Sequence, residues 1–121
     1  MANTFKVVTF AAEPASAGTA YKMYTVAGST TTVVLGLLLT NIHSSAITVE
    51  VELVSDTGSR GGANNVTNGT SFLVKDVTIP SGSSSELLSG GKVVMETTDH
   101  LNIDCSVADK VSGTLSIMEI T

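Results

Sequence analysis

The sequence is short of aromatic and charged side chains. It has no Trp, two Tyr and three Phe, and 14% of its residues are charged, whereas about 25% are charged in typical soluble domains. So few rings leave little material for stacking on bases or sugars. The net charge of −5, from 6 basic and 11 acidic residues, disfavours phosphate backbones, which require clustered Lys and Arg. We therefore predict no nucleic-acid partner.

Cysteine is also scarce, since Cys105 is the single one. This excludes an internal disulfide and a cysteine-based metal cluster. Cys105 alternates with Leu101 and Ile103, so we expect it to be a small buried hydrophobic residue. The N-terminal segment MANTFKVV has no secretory signal pattern, and the longest apolar run is too short to cross a bilayer. We expect a soluble protein made in a cytoplasm, with no membrane partner.

Alternating apolar segments separated by turn residues make up most of the chain, and no helical period extends beyond a turn. This pattern predicts an all-β fold, a single antiparallel β-sandwich of about eight strands, jelly-roll or immunoglobulin-like. Residues 1–20 are predicted to be an N-terminal strand and small-residue linker or arm of the same domain. Residues 21–121 are predicted to form the sandwich core, with a long loop at 55–69. The predicted strands cover residues 4–10, 21–26, 30–42, 46–54, 70–79, 86–88, 92–96, 100–107 and 114–121.

The most apolar segment is 30–42, TTTVVLGLLLTNI. Strict alternation divides it into two rows, and both rows are apolar. A sandwich requires only one apolar face from each strand, so the other row needs a second covering surface. We predict that this row contacts the N-terminal arm or another subunit through Val34, Gly36 and Leu38.

Two arrangements resemble known chemistry. Asp56-Thr57-Gly58-Ser59 follows an apolar strand, as in aspartic proteases, which need two carboxylates sharing one proton and therefore a dimer of a chain this short. The residues that follow, RGGANN, lack the apolar strand of that family, so we interpret the segment as a turn. His43 and His100 lie at strand ends, and the carboxylate adjacent to them in sequence is Asp99, beside His100. One neighbouring carboxylate is too little for a metal site, so we interpret both histidines as turn residues. The sequence thus predicts no catalytic, cofactor-binding or metal-binding residues and no enzymatic activity.

Three segments carry a resemblance to a known group of proteins: VVLGLLLTNIHSS (33–45), LVKDVTIPSGSSSELLSGGKVV (73–94) and LSIMEIT (115–121). The chain resembles the small β-rich virion structural proteins of tailed bacteriophages, particularly those of marine cyanobacteria. The resemblance implies a non-enzymatic accessory subunit on the capsid, as decoration, or at the neck or tail. It also implies homo-oligomerisation, partners among the other virion proteins, and location in the virion after synthesis in the bacterial cytoplasm.

Two other functions stay open at this point. Loop 55–69 is rich in Gly and Asn and longer than a hairpin requires, which suits a receptor- or glycan-binding module. The scarcity of aromatic residues argues against that function, because sugar faces are usually bound by aromatic rings. The other alternative is a homodimeric aspartic protease that uses Asp56.

Overall fold

The computed structural model describes residues 2–55, 69–88 and 92–121. These residues form strands and turns, and none of them lies in a helix long and apolar enough to cross a membrane. The strands follow the alternating segments of the sequence. They are β1 (Asn3–Glu13), β2 (Tyr21–Thr25), β3 (Thr31–Asn41), β4 (Ile47–Ser55), β5 (Gly69–Ile79), β6 (Ser84–Glu86), β7 (Val93–Met95), β8 (His100–Cys105) and β9 (Val111–Ile120).

The strands form two antiparallel sheets that pack face to face. Sheet A has the order β1-β9-β3-β6, and β7 also pairs with β3. Sheet B has the order β2-β8-β4-β5. The prediction of an all-β antiparallel sandwich is therefore confirmed.

The pairing pattern decides between the two predicted topologies. β6 and β7 pair with the two halves of β3 and act as one interrupted edge strand. Counted so, the eight strands pair in nested fashion: β4 with β5, β3 with β6 and β7, β2 with β8, and β1 with β9. A single ribbon folded back at the β4–β5 connection and rolled into two sheets is a jelly roll, and the immunoglobulin-like strand order does not have this nesting.

The core lies between the sheets and comes from one alternating face of each long strand. Ile47, Val49 and Val51 of β4 are at most 1% exposed, and Leu101 and Ile103 of β8 are equally buried. Each such side chain contributes roughly 1.5–3 kcal/mol by leaving water. Cys105 continues the β8 row and is also buried, as predicted.

β3 contains a bulge that the sequence alternation did not reveal. Val34 is paired with Ile117 of β9, and the next pair joins Gly36 to Ser116. Leu35 is therefore an extra residue without a partner in β9. Such an insertion moves all later side chains of the strand to the opposite face.

The bulge corrects the predicted row of Val34, Gly36 and Leu38. Val34 is fully buried and belongs to the core, whereas Leu38 is 40% exposed on the other side of the sheet. After the bulge the buried residues are Leu37 and Leu39. The three predicted interface residues thus do not share one face, and Val34 is unavailable to a partner. An interface role for Gly36 and Leu38 stays a prediction.

The N-terminal strand belongs to the sandwich of its own chain. β1 pairs with β9 from Asn3 to Glu13, and the backbones of Ala2 and Thr121 exchange hydrogen bonds just beyond the strand ends. β1 is therefore an edge strand of sheet A. Residues 15–20 form an exposed connection to β2.

Candidate assembly face

A continuous apolar row crosses sheet A on the side that faces away from the core. Phe5 is paired with Met118, Met118 with Val33, and Val33 with Val94. Directly opposed side chains on neighbouring strands lie about 4.5–5.5 Å apart and contact each other. Phe5 is 72% exposed and Val94 is 60% exposed. The row therefore presents apolar surface on all the strands of the sheet except β6.

Further apolar side chains extend this row along the strands. Val7 and Leu38 are exposed, and Ile120 is half-buried. We call the whole set the outer face of sheet A. Its apolar members are Phe5, Val7, Val33, Leu38, Val94, Met118 and Ile120, and its polar members include Asn3, Thr9, Thr31, Thr114 and Ser116.

Charge is almost missing from the outer face of sheet A. Among the described strand positions on this face, one is charged. It is Glu86, which lies opposite Leu38 at the β6 edge. Exposed apolar patches of more than a few hundred Å² are rare on monomeric proteins and mark interaction sites. The face thus has the composition of a surface meant to be covered.

The outer face of sheet B has the opposite character. Val49 and Val51 point inward, so Glu50 and Glu52 point to solvent, and Glu50 lies opposite Asp104. Lys75 Nζ is 2.7 Å from Glu50 Oε1, and this hydrogen bond is the main cause that raises the pKa of Lys75. The charged outer face of sheet B is therefore suited to remain in contact with solvent.

Even the exposed aromatic ring of sheet B is partly covered. Phe72 is 49% exposed, and the ammonium of Lys75 lies 4.7 Å from its ring centroid. Such cation–π contacts are weaker at exposed sites than at desolvated ones. Phe5 on sheet A has no such cover among the described residues, which makes the two rings a natural comparison.

β1 shows most clearly that the outer face is built to be apolar. Its inward positions include Val8 and the buried Phe10, so Phe5 and Val7 must point outward. Lys6 instead takes an inward position and reaches Glu119 Oε1 of β9 at 2.7 Å. A polar residue is thus held on the inner side of this strand while two apolar residues remain in solvent.

Lys6 is part of a polar network that joins the two sheets. The hydroxyl of Tyr24, on β2, donates to Glu119 Oε2 at 2.6 Å and lies 2.8 Å from the hydroxyl of the buried Thr32. Burial, followed by the hydrogen bond to Glu119, raises the pKa of Tyr24 to about 12. The hydrogen bond from Lys6, followed by that from Tyr24, lowers the pKa of Glu119. The phenol of Tyr24 is neutral, and the carboxylate of Glu119 accepts two hydrogen bonds. Together they connect the two sheets and do not form a reactive pair.

A cavity of about 340 Å³ on the outer side of sheet B contains acidic groups, namely Glu50, Asp76 and Asp104. Each already has a partner in the chain. Asp104 Oδ1 accepts hydrogen bonds from the backbone N–H groups of Gly18 and Cys105, and Lys75 lies near the other two carboxylates. The cavity is a polar cluster satisfied by its own chain.

The two histidines that the sequence analysis considered as metal ligands have other partners. The backbone N–H of His43 donates to Asn41 Oδ1 at 2.7 Å, and His100 Nδ1 is 3.5 Å from the carbonyl oxygen of Thr98. Within residues 2–55, 69–88 and 92–121, no group of three His, Cys, Asp or Glu side chains is placed to hold a metal ion. Asp56 and loop positions 56–68 lie outside the described residues.

Sequence reasoning missed most of the outer face of sheet A because it considered β3 alone. A signal was present in the terminal strands. In β1, Phe5 and Val7 point to one side while Val8 and Phe10 point to the other. In β9 the buried Leu115 and Ile117 are followed by Met118 and Ile120. Apolar residues on both faces of three neighbouring strands identify the same surface.

Comparisons with known proteins add a distant likeness of fold. No protein-family model matches the chain, and no curated protein matches it. Among solved structures, the chain is similar to Bacillus endospore appendages described as a family of disulfide-linked pili, with 16% identity and a TM-score of 0.47. The match covers 99% of this chain and 87% of the other. A likeness this distant says nothing about function, and the resemblance to bacteriophage virion proteins stays a prediction.

Proposed function

We propose that the chain is a non-enzymatic structural subunit of a tailed-phage virion that acts through self-association and contact with other virion proteins. Its place would be the capsid surface, as decoration, or the neck or tail, after synthesis in the host cytoplasm. The observation that carries the structural role is the apolar outer face of sheet A, from Phe5 to Val94. The sequence resemblance of residues 33–45, 73–94 and 115–121 supports the virion assignment.

The physical argument starts from the cost of leaving that face in water. Phe5, Val7 and Val94 are each at least 60% exposed, and covering such side chains gains about 25 cal/mol for each Å² of apolar area. A charged side chain at a subunit contact would instead need a partner or lose free energy on desolvation. A nearly uncharged apolar face on a β-sandwich is therefore suited to permanent contacts.

Mass spectrometry of purified particles tests this proposal. The chain is expected in the particles at a fixed copy number. A number on the order of hundreds indicates decoration of the capsid, whereas about a dozen or fewer indicates the neck or tail. Absence of the chain from particles, with its accumulation in the soluble fraction of the infected cell, would contradict the virion assignment.

An Asp56→Asn variant separates the structural role from that of a homodimeric aspartic protease. A protease would lose its cleavage activity, because the shared proton requires two carboxyl groups. A structural subunit is expected to assemble as the unchanged chain does. Loss of particle maturation in the variant, with assembly intact, would favour the protease.

A further inference from the structure

We propose that the outer face of sheet A binds the same face of a second copy, giving a two-fold, face-to-face dimer of jelly rolls. This inference rests on the proposed structural role and names the partner of that surface. Each copy contributes the same side chains in such a dimer, so the surface must be complementary to itself.

Charge favours a second copy over a partner of opposite charge. The chain carries a net charge of −5, so two copies repel wherever their carboxylates meet. The outer face of sheet A avoids this repulsion. Among its described strand positions, Glu86 at the edge is the one charged residue. The same neutrality gives a basic or acidic partner nothing to pair with. The outer face of sheet B, with Glu50, Glu52 and Asp104, would instead repel its own copy.

The size of the face is sufficient for a specific dimer. Four strands that each occupy about 4.8 Å of the sheet cover a width of roughly 19 Å, and residues 112–120 of β9, at about 3.3 Å each, cover a length of about 30 Å. The face is therefore roughly 600 Å² on each copy, or about 1,200 Å² for the pair. That value lies at the lower end of the range for specific protein interfaces.

The shape of the face also suits another sheet. Two sheets pack about 10 Å apart with strands inclined by about 30°, through alternating side chains from each inner face. The row from Phe5 through Met118 and Val33 to Val94 supplies such side chains across the width of sheet A. Pairing two copies would make the outer face of sheet A the middle of a second sandwich.

Sedimentation velocity of the purified chain over a range of concentrations tests the proposal. The unchanged chain is expected to form dimers, and Phe5→Asp is expected to raise the dimer dissociation constant by on the order of 100-fold, because the desolvated charge occurs twice in each dimer. Val94→Asp tests the opposite edge of the face and is expected to do the same. Phe72→Asp is the matched control, since it places the same change on an exposed Phe of sheet B. Circular dichroism checks that all four proteins are folded.

Salt supplies an independent test. An apolar, uncharged interface between anionic chains is expected to keep or strengthen its affinity as salt rises, because screening reduces the repulsion between copies. An affinity that falls with salt would overturn the proposal in favour of a contact between opposite charges. So would a chain that stays monomeric at about 1 mM, or Phe5→Asp and Phe72→Asp proteins that dimerise equally.

These results are distinguishable from failure of the proposed function. A chain that occurs in purified particles but remains monomeric in solution leaves the virion role standing and removes the dimer. A chain that dimerises through the outer face of sheet A but is missing from particles would support the dimer and contradict the virion role.

Discussion

The ring of Phe10 lies against the backbone of Gly113, its cross-strand partner in β9. A Cβ atom on residue 113 would overlap the ring carbons. The same ring makes an edge-to-face contact with Tyr21 of β2, with 5.3 Å between the centroids. The absent side chain at Gly113 therefore gives space to a ring that connects sheet A to sheet B.

Gly113→Ala is expected to lower the free energy of unfolding by about 1–3 kcal/mol, because the ring must leave its position or the strands must separate. Urea unfolding measures the change. Gly28→Ala is the matched control, since a Cβ there meets nothing within 4 Å, and it is expected to alter stability by about 0.5 kcal/mol or less. Replacing the ring by a shorter side chain, in Phe10→Leu, should reduce the loss of unfolding free energy that Gly113→Ala causes. Equal stability of the two glycine variants would contradict this placement of Phe10.

Tyr24→Phe is expected to lower the free energy of unfolding by about 1–3 kcal/mol, because it leaves the buried hydroxyl of Thr32 and one oxygen of Glu119 without their partner. The ring and its packing are kept, so the change isolates the hydroxyl. Tyr21→Phe is the control, because the ring of Tyr21 packs on Phe10, whereas the network consists of the hydrogen bonds from Tyr24 to Thr32 and Glu119. If both substitutions cost the same, the hydroxyl of Tyr24 does not hold the sheets together.

Acid is expected to weaken the hydrogen bonds that Lys6 and Tyr24 make to Glu119 and thereby to lower the stability of the fold. Lys6 and then Tyr24 lower the pKa of Glu119, so the folded chain releases this proton more readily than the unfolded chain does. The resulting stability is present above the ordinary glutamate pKa of about 4.3 and is lost as the pH falls through the lowered value. Glu119→Gln should therefore destabilise the chain at pH 7 and show less further loss on acidification. Urea midpoints between pH 7 and pH 3 measure this, with Glu86→Gln as the exposed control. An identical pH dependence of both variants and the unchanged chain would contradict the assignment to Glu119.

Most of the fold was predictable because β-strands leave a period of two in the sequence. The alternation of Ile47, Val49 and Val51 and that of Leu101, Ile103 and Cys105 predicted strands whose inward faces are the buried ones observed. The nested pairing was not predictable. It depends on contacts between strands far apart in sequence, such as β1 with β9, which local pattern does not encode.

The candidate face was harder to predict for a related reason. In β3 the extra residue Leu35 changes the phase of the alternation, and nothing in an unbroken apolar run shows where that happens. In β1 both faces carry apolar residues, so the pattern did not say whether Phe5 or Phe10 points inward. The packing of Phe10 against Gly113 decides this, and it again requires the β9 partner.

Because of the bulge, charged substitutions on the two faces of β3 are expected to have different effects. Val34 is fully buried, so Val34→Asp is expected to unfold the chain by placing a charge in the core. Leu38 is 40% exposed on the outer face of sheet A, so Leu38→Asp is expected to remain folded and to weaken dimerisation. Urea unfolding and sedimentation velocity measure the two effects. Thr25→Asp, at an exposed position of β2 in sheet B, should change neither.

The opposite result would restore the original grouping of Val34 with Leu38. A Val34→Asp chain that is as stable as the Thr25→Asp control but fails to dimerise would mean that both residues share one face and that β3 runs without a bulge. Because the extra residue reverses every later side chain, one substitution on each side of Leu35 is enough to decide the register. The structure places Val34 against Ile117 and Leu38 against Thr114, and it requires that only the second position tolerate charge.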